Sequence, residues 1–353
     1  MPELSQGRIN IAVVGAGLIG RRHIEGVLLE PRAALAAIID PSESARDWAL
    51  ARGLPWFATL SEVLAERRPD GVIIATPNQL HVANALEAIA SGLPVLIEKP
   101  IADDVDEAAK LVSAAENAGV PVLVGHHRRY NPLILETKRL LESGRLGTVL
   151  TAHGSFWAAK PDDYFNADWR RQPGAGPTLI NLIHDVDLFR FLFGEVKSVH
   201  AMESNAARHL AVEDTAVVVL RFGAGTLATL TASDAVPSPW SWEMTSGENP
   251  VFPKQDQFCY QIGGTAGSLA VPELTLWTAL GQPDWLRPLK AECLQITPAD
   301  PQVLQLVHFC DVIEGRARPI VSGREGLATL RVIDAIKQSA RTGQTIALER
   351  SRP

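Results

Sequence analysis

Through the first third of the chain, short uninterrupted apolar runs alternate with stretches whose apolar positions recur every three or four residues. The first pattern predicts strands buried on both faces, the second amphipathic helices. Strands are expected at Ile9–Val14, Leu35–Ile39, Trp56–Ala58, Gly71–Ala75, the run between Pro94 and Pro100, and Val120–Val124. Helices are expected over Arg21–Leu29, Ser42–Arg52, Ser61–Arg67 with a serine cap, His81–Ser91 and Asp103–Ala118. This alternation predicts an α/β Rossmann domain, a doubly wound parallel sheet, over residues 1–125. From Asn131 a helix runs to about Ser143, closed by Gly144 and Gly147, and then the texture changes. Strand-like stretches at Thr148–Trp157, Val196–Ser204, Thr215–Phe222, Thr226–Ala232, Phe258–Gly263 and Ser268–Ala270 follow one another, with Gly223-Ala224-Gly225 as a hairpin turn. Residues 126–353 are therefore expected to form an α+β second domain: a large, mostly antiparallel sheet with helices on one face. Two amphipathic helices at 302–313 and 324–340 complete it in a structural role.

A length of 353 residues agrees with two domains, since single cores stop growing below that size. Lys and Arg number 33 against 40 Asp and Glu, a formal net charge of −7 with no long block of one sign. Neither a nucleic-acid footprint nor a membrane-binding patch is expected. No apolar run approaches a membrane span, and the opening MPELSQGRINIAVVG lacks the basic and apolar regions of a leader. Cys259, Cys293 and Cys310 are odd in number and without metal-type spacing, which reads as reduced thiols of a cytoplasmic protein with no metal site.

The first strand runs into Gly15-Ala16-Gly17-Leu18-Ile19-Gly20, a GxGxxG turn with a strand before it and a helix after it. Gly15 permits the tight turn, Gly17 lets backbone approach a pyrophosphate, and Gly20 lets the helix pack close, while the helix amino terminus faces phosphate charge. Asp40, ending the second strand, would accept hydrogen bonds from the adenosine ribose and repel a 2′-phosphate, favouring NAD over NADP. Arg46 is the nearby group that could instead reach such a phosphate. The turn Ala75-Thr76-Pro77-Asn78 lies on the same sheet edge, placed to touch the cofactor, and His81 starts the next helix. Glu98 and Lys99 fall at the carboxyl end of a buried strand, the edge where open parallel sheets bind ligands. A buried ammonium needs a partner, and Glu98 offers a structural ion pair as the plainer reading.

In the second half, Gly174-Ala175-Gly176-Pro177 precedes apolar residues at 179, 182, 183, 186 and 189, a helical face. Asn181, His184 and Asp185 or Asp187 share neighbouring faces of that helix. Trp157 and Trp169 flank it in sequence and are candidates for a substrate pocket. The other tryptophans of this half read as sheet packing or subunit contact.

GxGxxG at 15–20, the acid Asp40, Thr-Pro-Asn at 76–78, Glu-Lys-Pro at 98–100 and Gly-His-His-Arg-Arg-Tyr-Asn-Pro at 125–132 resemble the Gfo/Idh/MocA family. The resemblance implies that Lys99 is the active-site lysine, often followed by a cis prolyl bond, and that Arg129 and Tyr130 lie near the nicotinamide. It implies that open sheet faces of the second domain pair subunits into homodimers or homotetramers. The family pattern of a glycine-rich turn, an acid, a histidine and an aspartate matches at His184 and Asp187. It departs at Ile180, where the acid would stand, with Asn181 beside it. Lys99 and His184 are then expected to carry the proton chemistry, Asn181 replacing a hydrogen bond but not a charge.

The resulting expectation is an NAD(P)-dependent dehydrogenase or reductase. It would transfer a hydride to or from a secondary alcohol or ketone of a sugar, cyclitol or related hydroxylated small molecule. The basic groups His126, His127, Arg128, Arg129, Lys160, Arg170 and Arg171 point to a substrate with a carboxylate or fewer hydroxyls than a simple cyclitol. Cofactor contacts are expected from Gly15, Gly17, Leu18, Ile19, Gly20, Asp40, Ala75, Thr76, Pro77, Asn78, His81, Glu98, Lys99 and Arg129. Substrate contacts are expected from Lys99, Tyr130, Trp157, Trp169, Arg170, Asn181 and His184. Relatives also include redox-neutral enzymes that recycle bound NAD during glycoside cleavage, and non-catalytic nucleotide sensors. A sensor has no need of both Lys99 and His184.

Overall fold

The computed structural model describes residues 7–348. The stretch read for a leader therefore begins outside the described residues. The described residues form two compact units: 7–130 with 300–330, and 131–299 with 331–348.

The first unit begins β1 (Ile9–Val14), α1 (Leu18–Leu29), β2 (Ala33–Ile39), α2 (Glu43–Leu50), β3 (Trp56–Phe57) and α3 (Leu60–Glu66). It continues β4 (Gly71–Ile74), α4 (His81–Ala90), β5 (Val95–Ile97), α5 (Val105–Ala118) and β6 (Val122–Val124). The six strands are all parallel in the order β3-β2-β1-β4-β5-β6, so the sheet reverses its winding between β1 and β4. Parallel pairing puts every strand's carboxyl end on one edge. The glycine turn after β1, the 75–78 turn after β4, Glu98-Lys99 after β5 and Gly125 after β6 therefore share that edge. Several boundaries shift by a few residues, and the cap of α3 differs from expectation: Thr59 caps it by accepting from the Glu62 N–H, and Ser61 lies inside the helix.

The second unit contains α6 (Pro132–Glu142), capped by the Asn131 side chain, then β7 (Val149–Trp157), α7 (Pro177–Ile180) and α8 (Leu182–Phe193). After these come β8 (Val196–Ser204), β9 (Thr215–Phe222), β10 (Leu227–Ser233), α9 (Trp242–Thr245), β11 (Tyr260–Gly264) and β12 (Gly267–Val271). The strands β13 (Thr275–Ala279) and β14 (Leu289–Cys293) extend the sheet further. The remaining elements are α10 (Pro301–Ile313), α11 (Gly323–Thr342) and β15 (Ile346–Ala347). Nine strands pair in the order β14-β13-β12-β11-β7-β10-β9-β8-β15, antiparallel except for β7 with β10. One face buries Leu220, Leu230 and Ile262 against Phe189 of α8 and Ile333 and Ile336 of α11. On the other, Met202, Val217 and Val219 are exposed.

The expected boundary at 125/126 needs correction for 126–130 and 300–330, which pack with the first unit. The reason is burial: Leu306, Phe309, Cys310 and Val312 of α10 complete the core formed by Ile9, Ile11, Ile24 and Ile73. Glycine at 71 makes the room, since a Cβ there would meet the side chains of Ile313 at 2.6 Å and Phe309 at 3.2 Å. Replacing the fully buried Phe309 by Ala is expected to destabilise the first unit by about 3–5 kcal/mol. Urea unfolding with amide exchange followed in β1 and β4 checks it.

Candidate active site

Gly15, at the end of β1, has φ +92°, a left-handed conformation that favours glycine. A Cβ there would lie 2.6 Å from the Ala75 carbonyl oxygen, and one at Gly20 would run into the Gly15 carbonyl. Gly17 is different: nothing lies within 4 Å of where its Cβ would stand, and no side chain caps α1, which it precedes. Leu18 and Ile19 are exposed at the same point. An open, side-chain-free cradle at the amino end of a twelve-residue helix fits a dinucleotide pyrophosphate. Asp40 Oδ2 accepts from the Ala16 N–H at 2.8 Å, and Oδ1 from the Ser42 N–H at 2.9 Å and hydroxyl at 2.6 Å. Burial pushes this carboxyl up, but the Ser42 and Ala16 bonds and the Arg21 charge outweigh it and leave the group below its ordinary range. Arg46 pairs with exposed Asp47.

At the end of β5, Glu98 is buried with Oε1 2.8 Å from His23 Nε2, while Oε2 accepts the Lys99 N–H at 3.2 Å. Gly125 leaves the space, for a Cβ there would stand 2.9 Å from Oε2. Burial alone would raise the Glu98 pKa, yet the bond to His23 and the charges of His23, His127 and Lys99 hold it at about 2. Lys99 itself is half-buried, and its bond to Pro100 is cis.

Ala75 joins β1 through its N–H to the Val14 carbonyl, Pro77 is exposed, and Thr76 and Asn78 are half-buried. Three expected contacts have side chains engaged within the first unit. His81 is buried with its ring nitrogens 2.8 Å from the Pro100 carbonyl and 2.9 Å from the Thr76 carbonyl. Arg129 is buried and pairs with Glu325 at 2.9 Å, and Tyr130 packs against His308. His23 was in no motif; its only signal in the sequence is a histidine on the apolar face of the helix after the glycine turn.

In the second unit the expected single helix is broken. α7 ends at Ile180 and α8 starts at Leu182, with Asn181 between them at φ −109° and ψ −56°. The Asn181 N–H donates to the Pro177 carbonyl and its own carbonyl accepts from the His184 N–H, both at 3.1 Å. Asn181 Oδ1 is buried with no hydrogen-bond partner among the described residues. His184, Asp185 and Asp187 are buried on α8, and the Tyr260 hydroxyl donates to Asp185. The turn before α7 is held by residues that no motif marked: Glu213 accepts from the Thr178 N–H at 3.2 Å, and Lys337 bridges Glu213 and Glu203 at 2.8 and 2.9 Å.

Trp157 ends β7. It is on the sheet face opposite α8, with its indole N–H donating to Thr231 and its ring edge-on to Trp240. Strand alternation, which sequence proximity to the helix does not register, decides this. Trp169 is exposed, and the Arg170 guanidinium lies 4.0 Å from the Tyr164 ring centroid and 5.2 Å from that of Trp169. Among the described residues no group of His, Cys, Asp or Glu could hold a metal ion, and no helix is long and apolar enough to cross a membrane.

Two outcomes follow from this geometry. Gly20→Ala is expected to weaken NADH binding, read by fluorescence titration, about tenfold or more, because the helix can no longer close on the glycine turn. Glu98 has a folded-state pKa near 2 against an ordinary 4.5, so its ionised form contributes stability fully above pH 4.5. That contribution disappears as the pH falls towards 2. Glu98→Gln should lower stability at neutral pH by about 2 kcal/mol and lack this acid dependence, as urea midpoints across pH would show.

Residues 9–126 match a family model described as an oxidoreductase family with an NAD-binding Rossmann fold, and residues 134–270 match the GFO/IDH/MocA C-terminal domain. The chain is 26% identical over 345 residues to the 1,5-anhydro-D-fructose reductase of Ensifer adhaerens, covering 96% of this chain and 98% of that protein. It is 29% identical over 188 residues to the rhizopine catabolism protein MocA of Rhizobium meliloti. That match covers 53% of this chain and only 58% of the relative's length. The crystal structure of the WlbA dehydrogenase from Bordetella pertussis, in complex with NADH and UDP-GlcNAcA, superposes with a TM-score of 0.78 at 28% identity, covering 97% of this chain and 99% of that one. Both halves of the chain, with the glycine turn and the Glu98-Lys99-Pro100 corner in place, belong to the GFO/IDH/MocA family of NAD-binding oxidoreductases.

Proposed function

We propose that this chain transfers a hydride between a nicotinamide cofactor, NAD in preference to NADP, and a secondary alcohol or ketone of a sugar, cyclitol or related hydroxylated small molecule, acidic ones included. The observation that carries the reading is Lys99, held at the carboxyl edge of a parallel sheet that also carries an open glycine turn.

When bound, the dinucleotide supplies the carbon that accepts or returns the hydride. The glycine turn and the start of α1 hold its pyrophosphate, and Asp40 accepts from the ribose hydroxyls and repels a 2′-phosphate. Lys99 donates a hydrogen bond to the substrate oxygen, lowering the alcohol pKa and stabilising developing alkoxide. His184 takes the hydroxyl proton during oxidation and returns it during reduction. Asn181 Oδ1 accepts from a further substrate hydroxyl, while Ile180 supplies no charge. Subunit pairing through the open sheet face is supported by the exposed Met202, Val217 and Val219.

A panel of inositols, aldoses, 1,5-anhydro-D-fructose and uronic acids, followed at the NADH absorbance band with both cofactors, tests the reading. NADH is expected to bind about tenfold more tightly than NADPH. Lys99→Ala should lower kcat by about 10²–10⁴ with NADH affinity intact. If Lys99 and His184 serve one proton transfer, the double variant should be little worse than either single one. Near-normal turnover of Lys99→Ala would remove the mechanism, and turnover without net change in NADH would make the enzyme redox-neutral.

A further inference from the structure

His81 was expected to touch the cofactor, but its ring lies between two main-chain carbonyls of the first unit. Nδ1 is 2.8 Å from the Pro100 oxygen and Nε2 is 2.9 Å from the Thr76 oxygen, with the residue 1% exposed. A neutral imidazole has one N–H to give, so only one of these carbonyls receives a hydrogen unless the ring is doubly protonated. Burial pushes the His81 pKa down, against the two carbonyls and the charges of Glu98 and Asp103. In the neutral ring one nitrogen donates to its carbonyl and the other meets its carbonyl with a lone pair.

The two turns differ in what they carry. Thr76 follows β4; Pro100 directly follows Lys99. On the other side of Lys99, Glu98 is fixed by His23 and takes the Lys99 N–H. A bond to the Pro100 carbonyl fixes the main chain on the carboxyl side of Lys99 as well.

We propose that His81 is a positioning residue for Lys99, holding the Pro100 carbonyl through Nδ1–H so that the lysine is fixed at both neighbours. The inference rests on the reading of Lys99 as the active-site lysine, but its test does not use turnover. Asparagine places its amide nitrogen where Nδ1 stands, and glutamine places its own where Nε2 stands. His81→Asn therefore keeps the Pro100 bond, His81→Gln the Thr76 bond, and His81→Leu neither.

The probe is trinitrobenzenesulfonate labelling of Lys99 across a pH series, quantified by mass spectrometry against the exposed Lys110, with thermal melting recorded for each variant. His81→Asn is expected to keep the parent labelling profile, while His81→Gln and His81→Leu shift the Lys99 rate by about threefold or more, as displacement of a positioned group does. Equal profiles for the Asn and Gln variants, whether unchanged or shifted alike, would overturn the proposal in favour of a purely structural ring. A shift in Asn with none in Gln would overturn it in favour of the Thr76 bond. Should the Leu variant not fold, the Asn and Gln comparison alone decides. Full turnover of Lys99→Ala would sink the proposed mechanism while leaving this comparison standing.

Discussion

A carboxylate buried at a strand end stays ionised only where opposite charge is built against it. Glu98 meets that condition through His23 on α1, helped by the charges of His127 and Lys99. The consequence reaches beyond one pair, because α1 is also the helix that starts at the glycine turn. Gly17 precedes its first turn and His23 lies on its buried face, so one rigid element registers the dinucleotide cradle against the lysine corner. Three glycines make the register possible: Gly15 against Ala75, Gly20 against Gly15, and Gly125 against Glu98, each where a Cβ would collide.

The second unit solves a similar problem with different parts. A four-residue helix cannot orient a site by its own stability, since short helices in water are marginal. α7 is instead tied at its start, with the Thr178 N–H on Glu213 and the Thr178 hydroxyl on Glu203. Lys337 of α11 bridges both carboxylates. Burial and then the neighbouring Glu213 charge push the Glu203 carboxyl up, opposed by Lys337 and Thr178. The lysine is what lets two glutamates share one buried corner. α8 is secured in its first turn by Asp185 to Tyr260, which stacks on Trp242.

Much of the first unit was legible because parallel strands buried on both faces write themselves as apolar runs, and GxGxxG followed by Asp40 fixes which strand is first. The β9–β10 hairpin was legible from alternation around Gly223-Ala224-Gly225. The strands β13 and β14 were missed: the edge strand β14 reads Leu-Lys-Ala-Glu-Cys and is largely exposed, so neither of its faces has an apolar signature. The assignment of α10 was missed for another reason. Periodicity predicts a helix with a buried face but does not name its partner, and Phe309 packs on strands nearly the whole chain away. Trp157 lies on the face opposite α8, which alternation along β7 sets and nearness in sequence to α8 does not show.

The departure at Ile180 looks different once the helix is seen to break beside it. An acid four residues before His184 would share its helical face only on an unbroken helix. Here α7 stops at Ile180, and the residue presented at the break is Asn181, whose backbone joins the two helices and whose buried Oδ1 has no partner among the described residues. A buried acceptor left open is unfavourable by about 1–3 kcal/mol, a strain that a ligand hydroxyl would relieve. In the proposed site, a neutral amide at that point would accept from a donor without demanding a cation or holding up the pKa of a nearby imidazole, as a carboxylate would. The chemistry at this position follows from where the helix breaks as much as from which residue replaces the acid.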